Sequence, residues 1–376
     1  MINMNKTLCA YPWRGAAIRP SGLTIPCCRY PHIDEAESVV DNPQVRNTPH
    51  WVSIRDSMLQ GNKVDGCHSC YQDESNGLQS MRQHSLSQFV PIKNETIPVE
   101  QLEVSFSNLC NLACVHCTSF FSSKWYVEDV KAGRVKKSGV LENSFSFESW
   151  DMSHITELKI IGGEPFMEQP KFINLLNNLD LSKICIQICT NGTIMPNDEL
   201  KGLIEKCKTI NLAVSLDGLG STNDWYRWPS KFDKVVANML QYEEWWQSFK
   251  NVNFIVHHVI NAINVLELKK FVEYIQDVFP LWKIEWDWIR WPHWQRLSIL
   301  PVSLKKKLAS QFETELFFSD KIPNPYKITI ERMNEKTDLY FDILEHNIIR
   351  ISQERNLDYQ FMLPLTKYFK NMINNE

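Results

Sequence analysis

Hydrophobic and polar positions follow two different patterns along the chain, and the change between them marks its regions. From Gln101 onward, short apolar runs alternate with segments of helical period, which predicts successive strands and helices. The predicted strands are residues 102–106, 158–161, 184–189, 210–216, 254–260 and 282–289. The predicted helices between them include residues 170–179, 198–207, 232–249 and 265–278.

Strands that alternate with helices predict a parallel sheet, because parallel strands need crossover connections. Six units are too few for a closed eight-stranded barrel, so we expect an α/β fold with a partial, open (β/α)6 barrel of the TIM type. Residues 1–97 show no sustained period and many turn residues, which predicts a loop-rich amino-terminal module. Helical patterns at 302–315 and 340–354, and a last piece at 365–375, predict a helical extension. The expected domains are therefore 1–97, 98–300 and 301–376.

Composition and charge exclude several classes of protein. The 376 residues allow two or three domains and rule out a small disulfide-stapled module. Forty Lys and Arg against 44 Asp and Glu give a net charge of −4, so no basic excess indicates a nucleic-acid partner. The chain starts without a cationic segment followed by an apolar core and lacks apolar runs of about 18 residues. We expect a cytoplasmic protein with no membrane partner.

Cysteine and glycine are the residues whose placement indicates chemistry. In a reducing cytosol, the 11 cysteines are candidate metal ligands before they are candidate disulfides. Glycine is scarce, at 13 residues. Four glycines close predicted strands at Gly162, Gly163, Gly192 and Gly218. A glycine at the carboxyl end of a parallel strand lets the backbone approach a ligand, so these positions indicate a site at that edge of the sheet.

The loop after the first predicted barrel strand contains Cys110, Cys114 and Cys117, at spacings of four and three. Three thiolates on one loop can hold three corners of an iron-sulfur cube and leave one iron open to a substrate or cofactor. A structural zinc ion would need a fourth ligand. His116 is a candidate for that role, although its position next to Cys117 makes convergence on one ion awkward. Iron-sulfur chemistry is the interpretation that the strand context favours.

Three motifs in chain order resemble the radical S-adenosylmethionine (SAM) superfamily over roughly residues 98–300. They are the CxxxCxxC loop, Gly162 to Pro165 after the second strand, and Ser215 to Gly218 after the fourth. The resemblance implies a four-iron cluster on the three cysteines, whose open iron binds the amino and carboxylate groups of SAM. One electron then cleaves SAM to methionine and a 5′-deoxyadenosyl radical, which abstracts a hydrogen atom from the substrate. The resemblance further implies an external electron donor such as flavodoxin or ferredoxin.

The resemblance also implies roles for individual residues. Gly162, Gly163 and Glu164 correspond to the element that meets the SAM amino group, with the carboxylate accepting from the ammonium. Ser215 and Asp217 correspond to polar residues near the SAM ribose and carboxylate. Asn191 ends the third strand in the matching place, and Arg227 corresponds to an arginine that pairs with a carboxylate. His116 departs from the family, which usually has an aromatic residue there. The sequence names no catalytic acid or base.

A second group of cysteines lies in the amino-terminal module, at Cys9, Cys27, Cys67 and Cys70. Together with Gly22, their spacing resembles the auxiliary-cluster module called twitch, a shortened form of the SPASM domain. In most relatives that module follows the barrel, whereas here it precedes it.

Four cysteines would saturate a second four-iron cluster, which implies electron transfer or a structural role. Two alternatives remain open: a structural zinc tetrathiolate, and Cys28 in place of Cys27 as a ligand. Cys185, Cys189 and Cys207 have the pattern of buried apolar residues.

Two tryptophan-rich stretches, at 225–229 and 286–294, either line a substrate cleft or pack against the carboxyl-terminal helices. The function expected from all these features is a two-cluster radical SAM enzyme that oxidatively modifies a peptide or a small polar metabolite. A redox-neutral epimerase is the first alternative. A zinc-stabilised binding protein is the second, but zinc does not explain the strand-end motifs.

Overall fold

The computed structural model describes residues 6–31, 45–75, 79–86, 97–135, 150–314, 325–337 and 342–358. Within these ranges, no helix combines the length and the apolar character needed to cross a bilayer. The expected helical piece at 365–375 lies outside the described residues, as do the first two residues of the helix expected at 340–354.

Eight strands and thirteen α-helices occur in the described part of the chain. The strands are β1 (Gly15–Ile18), β2 (Thr24–Ile25), β3 (Gln101–Ser105), β4 (Glu157–Ile161), β5 (Cys185–Thr190), β6 (Thr209–Ser215), β7 (Val252–Ile260) and β8 (Lys283–Trp288). The helices are α1 (Tyr11–Arg14), α2 (Pro49–Leu59), α3 (His68–Ser75), α4 (Met81–Ser85), α5 (Ser123–Lys131), α6 (Gln169–Asn177), α7 (Asp198–Ile204), α8 (Gly220–Tyr226), α9 (Phe232–Trp246), α10 (Leu268–Val278), α11 (Val302–Thr314), α12 (Tyr326–Met333) and α13 (Asp342–Arg355). The six strands predicted from sequence are β3 to β8, and each agrees with its prediction to within two residues at either end.

The strands form one sheet in the order β2-β1-β3-β4-β5-β6-β7-β8. β1 pairs in parallel with β3, β3 with β4, β4 with β5, and β7 with β8, while β2 is antiparallel to β1. Helices connect each consecutive pair of strands from β3 to β8. This arrangement confirms the expected α/β class, with six strand-and-helix units in chain order and an open sheet.

The two faces of β3, β4 and β5 differ in polarity because side chains alternate along a strand. One face carries apolar side chains that are at most 2% exposed, including Leu102, Val104, Leu158 and Ile160. The other face carries polar residues, and the strand register places Glu103 beside Lys159 and Lys159 beside Gln187. This apolar face explains why the hydrophobic pattern of the sequence located these strands correctly.

The amino-terminal region contributes a hairpin that sequence periodicity did not predict. β1 and β2 are joined by a tight turn in which Gly22 has a φ of 81°, a conformation that favours glycine. The backbone N–H of Gly22 donates to the carbonyl of Arg19 at 2.8 Å. Each strand is too short to show a period of two, and β1 is buried on both faces. The hairpin adds two strands to the sheet beside β3.

Two compact units divide the chain, and each is described by itself. The first contains Met1–Ala113, Cys117–Ala213 and Trp246–Asn253, and the second contains Cys114–His116, Val214–Trp245 and Phe254–Glu376. In the second unit, apolar residues of α11, α12 and α13 share one core with residues that follow β7 and β8, among them Ile263 and Leu297. The three-domain division expected from sequence remains a prediction.

Candidate functional site

The cysteine loop begins directly after β3 and is held by polar side chains of the first unit. The hydroxyl of Ser107 accepts from the backbone N–H of Leu109 at 2.9 Å and donates to Glu168 at 2.8 Å. The amide of Asn108 donates to the carbonyl of Ser119 at 3.0 Å. The Ser123 hydroxyl accepts from the N–H of Cys110 at 3.1 Å. These bonds fix the start of the loop, where Cys110 lies, with respect to the end of its strand.

The backbone of Gly163 lies directly against this loop. A Cβ atom on Gly163 would lie 2.1 Å from the carbonyl oxygen of Leu109, far inside any allowed contact. Gly162 has a φ of 102°, and a Cβ there would meet the side chain of Ser105 at 2.8 Å. Gly163 therefore requires glycine because of its close approach to the loop. Gly162 requires it because of both its close approach to Ser105 and its backbone conformation. The geometry gives a physical reason for the Gly-Gly pair that the sequence showed after the second predicted strand.

Glu164 is 1% exposed and connects the ends of two strands. Its backbone N–H donates to the carbonyl of Leu109 at 2.8 Å, next to the cysteines. Its carboxylate accepts from the N–H of Phe166 at 3.1 Å and from the hydroxyl of Thr190 at 2.8 Å. It also accepts from the N–H of Asn191 at 2.7 Å. Among the described residues, this carboxylate has at least three internal donors, whereas its expected contact with a SAM ammonium remains a prediction.

Asn191 follows β5 and is in reach of the cysteine loop. Its amide nitrogen donates to Asn111 at 2.9 Å and lies 4.0 Å from the sulfur of Cys110. Its amide oxygen accepts from the N–H of Thr193 at 2.9 Å and from the Thr193 hydroxyl at 2.6 Å. Asn111 in turn donates to Thr193 at 2.8 Å. The structure therefore brings together, within the first unit, the start of the cysteine loop, the Gly-Gly-Glu element and Asn191.

The second unit contains a buried ion pair at the predicted positions Asp217 and Arg227. The Arg227 Nη1 atom lies 2.5 Å from the Asp217 Oδ2 atom. The side chain of Arg227 is 8% exposed and that of Asp217 is 1% exposed. The other carboxylate oxygen accepts from the N–H of Val259 at 2.9 Å. Burial alone would raise the pKa of Asp217, but the guanidinium of Arg227 overrides it and holds this pKa at about 2. Ser215 is half-buried at the end of β6, and its role remains a prediction.

His116 packs flat on Tyr226 in the same unit, with ring centroids 5.3 Å apart. Burial lowers the pKa of His116 to about 4, so the ring is neutral near pH 7. The preceding residue, Val115, donates its N–H to the carbonyl of Tyr226 at 2.8 Å and accepts from the Gln295 amide at 3.1 Å. Within the second unit, the segment from Cys114 to His116 is thus held by hydrogen bonds of the Val115 backbone.

The four cysteines of the amino-terminal module lie in one region of the first unit. Cys9, Cys27 and Cys67 share an apolar cluster. Burial is the main cause that raises the pKa of Cys9 to about 11 and that of Cys67 to about 12; repulsion from Cys70 contributes to both values, and repulsion from Cys9 contributes to that of Cys67. The pKa of Cys27 is raised well above its ordinary value, first by burial and then by Cys28, Cys9 and Cys67.

Cys28 has different neighbours. After burial, the largest influences on its thiol are Glu103, Lys159 and Arg19, and its sulfur contacts the sulfur of Met81 at 3.7 Å. Gly66, which precedes Cys67, is also constrained, because a Cβ there would lie 2.3 Å from the ring of Tyr30. Of the two adjacent cysteines, Cys27 is therefore the one grouped with the other thiols.

Whether these cysteines fit an iron-sulfur cluster is a matter of chemistry as well as distance. Over the described ranges, no three His, Cys, Asp or Glu side chains are arranged as a metal site. Thiolate is the ligand form, so groups with raised pKa values must release protons when they bind metal. Soft sulfur donors of this type suit iron-sulfur clusters or zinc. The donor set fits, and both cysteine sets remain predicted metal sites.

The two tryptophan-rich stretches pack within the second unit. The indole N–H of Trp225 donates to Ser352 of α13 at 2.8 Å, and that of Trp288 donates to Thr329 of α12 at 3.0 Å. Trp286 contacts the ring of His258, whereas Trp291 is 59% exposed. Of the two interpretations left open by the sequence, the structure favours packing for Trp225 and Trp288.

Several residues of the site were missed by sequence reasoning. Ser107, Asn108, Asn111 and Thr193 position the cysteine loop, but short polar residues in a loop are also typical of ordinary turns. The sequence did contain one indication of their role, because Ser107, Asn108 and Asn111 lie within three positions of Cys110. Their bonding partners lie up to 82 positions away, and only folding brings them into contact.

Comparison with known proteins gives distant structural similarities. No family model matches the sequence, and no curated protein matches it. Native anSMEcpe with bound AdoMet and the Cp18Cys peptide aligns at 18% identity and a TM-score of 0.38, over 58% of this chain and 59% of that chain. SuiB of Streptococcus suis aligns at 15% identity and a TM-score of 0.38, over 78% of this chain and 69% of that chain. SuiB bound to S-adenosylmethionine aligns at 15% identity and a TM-score of 0.37, over 75% of this chain and 52% of that chain. The chain thus aligns with less than two thirds of anSMEcpe, and similarity at this level assigns no activity to it.

Proposed function

We propose that this protein is a radical SAM enzyme with two four-iron clusters. The observation that carries the proposal is the contact between the Gly-Gly-Glu element and the cysteine loop. Gly163 and Glu164 lie against Leu109, the residue before Cys110, and Asn191 reaches the Cys110 sulfur at 4.0 Å. A zinc site would not require this approach, whereas a cluster that binds SAM needs exposed backbone beside its open iron.

Cys110, Cys114 and Cys117 would hold the first cluster. With one iron left open, such a cluster supplies the electron that cleaves SAM to methionine and a 5′-deoxyadenosyl radical. The chain's own part is positioning. The backbone at Gly162 and Gly163 offers polar groups without a Cβ in the way, and Glu164 fixes this backbone to the end of β5. Asp217, Arg227 and Ser215 are proposed to face the ribose and carboxylate of SAM.

Cys9, Cys27, Cys67 and Cys70 would hold the auxiliary cluster. Four cysteine ligands leave no iron open, so electron transfer is the function proposed for it. The grouping of Cys27 with Cys9 and Cys67 supports this ligand set over one that contains Cys28. An electron route of this kind favours a net oxidative modification, of a peptide or a small polar metabolite, with flavodoxin or ferredoxin as the external donor. A cytoplasmic location is part of this proposal.

Metal analysis of the anaerobically reconstituted protein tests both cluster assignments. We expect about eight irons per chain, falling to about four when Cys110, Cys114 and Cys117 are all changed to Ala. Electron paramagnetic resonance of the reduced samples should show the loss of one signal and retention of the other. About four irons falling to none, with one zinc per chain, would refute the auxiliary cluster while leaving the SAM cluster in place.

Turnover tests the enzyme assignment separately. The reduced wild-type protein is expected to form 5′-deoxyadenosine from SAM, and the triple Ala variant is not. If reconstituted protein with full iron content forms none in the presence or absence of candidate substrates, the enzyme proposal fails. One 5′-deoxyadenosine per oxidised product would support net oxidation, whereas a product at the oxidation level of the substrate would indicate the redox-neutral alternative.

A further inference from the structure

The first unit contains a cavity of about 510 Å³, and of the assigned site residues Cys27 alone is in its lining. Pockets that hold small molecules have volumes of about 300–1,000 Å³, so this one has the size of a metabolite site. It is lined by the polar face of β3, β4 and β5, by the start of β6, and by Cys27 and Cys28.

The cavity lies toward the amino ends of the strands. Gln101, Glu157 and Cys185 line it and are the first residues of β3, β4 and β5. The predicted SAM contacts follow the carboxyl ends of the same strands. Lys159 and Gly162 are three positions apart, which is about 10 Å along a strand at ~3.3 Å per residue. The cavity is therefore a separate place from the proposed SAM site.

The lining carries charge where a barrel interior ordinarily carries Val, Ile and Leu. Glu103 is 8% exposed, and its carboxylate lies 3.3 Å from Arg19 and 3.6 Å from Lys159. The Glu157 carboxylate lies 3.6 Å from the guanidinium of Arg14 and accepts a hydrogen bond from the Gln101 amide at 2.6 Å. The Glu157 side chain is 50% exposed, but the Glu103 side chain is buried. Because buried ion pairs often stabilise a fold less than apolar residues of the same volume, stability alone does not account for the pairs of Glu103.

Two donors at the cavity lining make no hydrogen bond to another described residue. Across the described residues, the ammonium of Lys159 has no hydrogen-bond partner, and its one ion pair is the 3.6 Å contact with Glu103, which also contacts Arg19. The amide of Gln187 likewise has no hydrogen bond in that part of the chain. The sheet register pairs Lys159 with Gln187, which places their side chains as neighbours on one face. Lys208 adds a second positive charge at the cavity lining.

We propose that this cavity binds a small molecule through a carboxylate group, with the Lys159 ammonium and the Gln187 amide as the donors. One ammonium beside one amide matches a group with a single negative charge and two acceptor oxygens. The apolar remainder of the lining, which includes Ala17, Pro26 and Met81, receives the rest of the molecule. The proposal does not depend on SAM chemistry, since it concerns binding at the other end of the strands.

Calorimetric titration of the purified full-length protein tests the proposal with paired probes. The probes are succinate against succinamide, and benzoate against benzamide, so that each carboxylate has a neutral partner of the same skeleton. We expect at least one carboxylate to bind and its amide not to bind. Lys159→Met should raise the dissociation constant roughly tenfold or more, as loss of a hydrogen bond to a charged group predicts. Lys159→Arg should retain binding.

Lys183→Met is the matched control, because Lys183 is 62% exposed and pairs with Asp180 on the surface. It should leave the dissociation constant unchanged. If Lys159→Met does not fold, judged by circular dichroism, then Gln187→Met carries the test, because it leaves the contact between Lys159 and Glu103 in place. Equal binding of acid and amide, wild-type affinity in the Lys159 and Gln187 variants, or no binding by any probe would overturn the proposal. Tighter binding of inorganic phosphate than of either carboxylate would overturn the choice of ligand class.

Discussion

The backbone N–H of Asn191 donates to the carboxylate of Glu164 at 2.7 Å, across 27 positions of sequence. The same carboxylate accepts from Thr190 and from the N–H of Phe166, so a single buried side chain joins the turn after β5 to the segment after β4. A carboxylate offers about four accepting positions, and three donors use most of them. Glu164 therefore positions the backbone around the cysteine loop in addition to any contact with a ligand.

Changing Glu164 to Gln should destabilise the fold, because the amide group turns a donor toward groups that are themselves donors. We expect a loss of about 1–3 kcal/mol in the free energy of unfolding, typical of a buried polar group left unsatisfied. Denaturant titration measures it, with Glu199→Gln on the exposed surface of α7 as the control. Equal stabilities for the two variants would contradict the positioning role.

Gly163→Ala should disrupt the cysteine loop, since the new Cβ would lie 2.1 Å from the Leu109 carbonyl oxygen. Because moving the Leu109 backbone costs free energy, we expect a lower iron content after reconstitution together with reduced stability. Gly202→Ala in α7 is the control, because nothing lies within 4 Å of its Cβ position. That variant should gain about 0.5–1 kcal/mol through helix propensity. Normal iron content in Gly163→Ala would show that the close approach is dispensable.

The Asp217 and Arg227 pair should show strong coupling in a double-mutant cycle. Arg227→Met leaves a buried carboxylate without its partner and is expected to cost about 3–5 kcal/mol of stability. Adding Asp217→Asn to that variant should recover part of the loss, because the unpaired charge is removed. The surface pair of Arg350 and Glu354 is the comparison, where Arg350→Met should cost about 1 kcal/mol or less. Additive losses at Asp217 and Arg227 would argue against coupling.

Cys27→Ser and Cys28→Ser form a matched pair of adjacent substitutions. If Cys27 is the auxiliary ligand, its variant should lose up to about four irons per chain, while the Cys28 variant keeps the wild-type content. The reason is position, since the Cys27 thiol is grouped with Cys9 and Cys67, whereas that of Cys28 lies near Glu103 and Lys159. Iron and sulfide analysis decides the matter, and the reverse result would exchange the two assignments.

His258 should make the stability of the protein depend on pH. Burial lowers the pKa of His258 to about 4, while its Nδ1–H donates to the carbonyl of Leu216 at 2.8 Å. The unfolded chain binds this proton near pH 6.5, so stability is complete above that pH and declines as pH falls toward 4. Between pH 8 and 6 the expected loss from this residue is about 0.8 kcal/mol.

The His258→Asn variant provides the comparison, because its amide can donate to the same carbonyl without titrating. Denaturant titrations of both proteins at several pH values should give a smaller pH dependence for the variant. Parallel curves for the two proteins would mean that His258 does not titrate between the folded and unfolded states in this range.

Local sequence pattern determined the positions of the six barrel strands, because apolar residues at period two and the glycines that follow them are set by neighbours in the chain. It also indicated Cys110, Gly163 and Glu164 as parts of one site, since the carboxyl ends of parallel strands share an edge. The hairpin of β1 and β2 was beyond the reach of that pattern, because its strands have four and two residues.

Other relationships were decided by the tertiary structure. That Cys27 rather than Cys28 joins Cys9 and Cys67 depends on how a turn packs, and two adjacent cysteines are equivalent in a spacing count. The pairing of Lys159 with Gln187 depends on strand register, which hydrogen bonding between strands sets across 28 positions of sequence. The chain specifies which residues alternate on each strand, and the sheet decides which of them become neighbours.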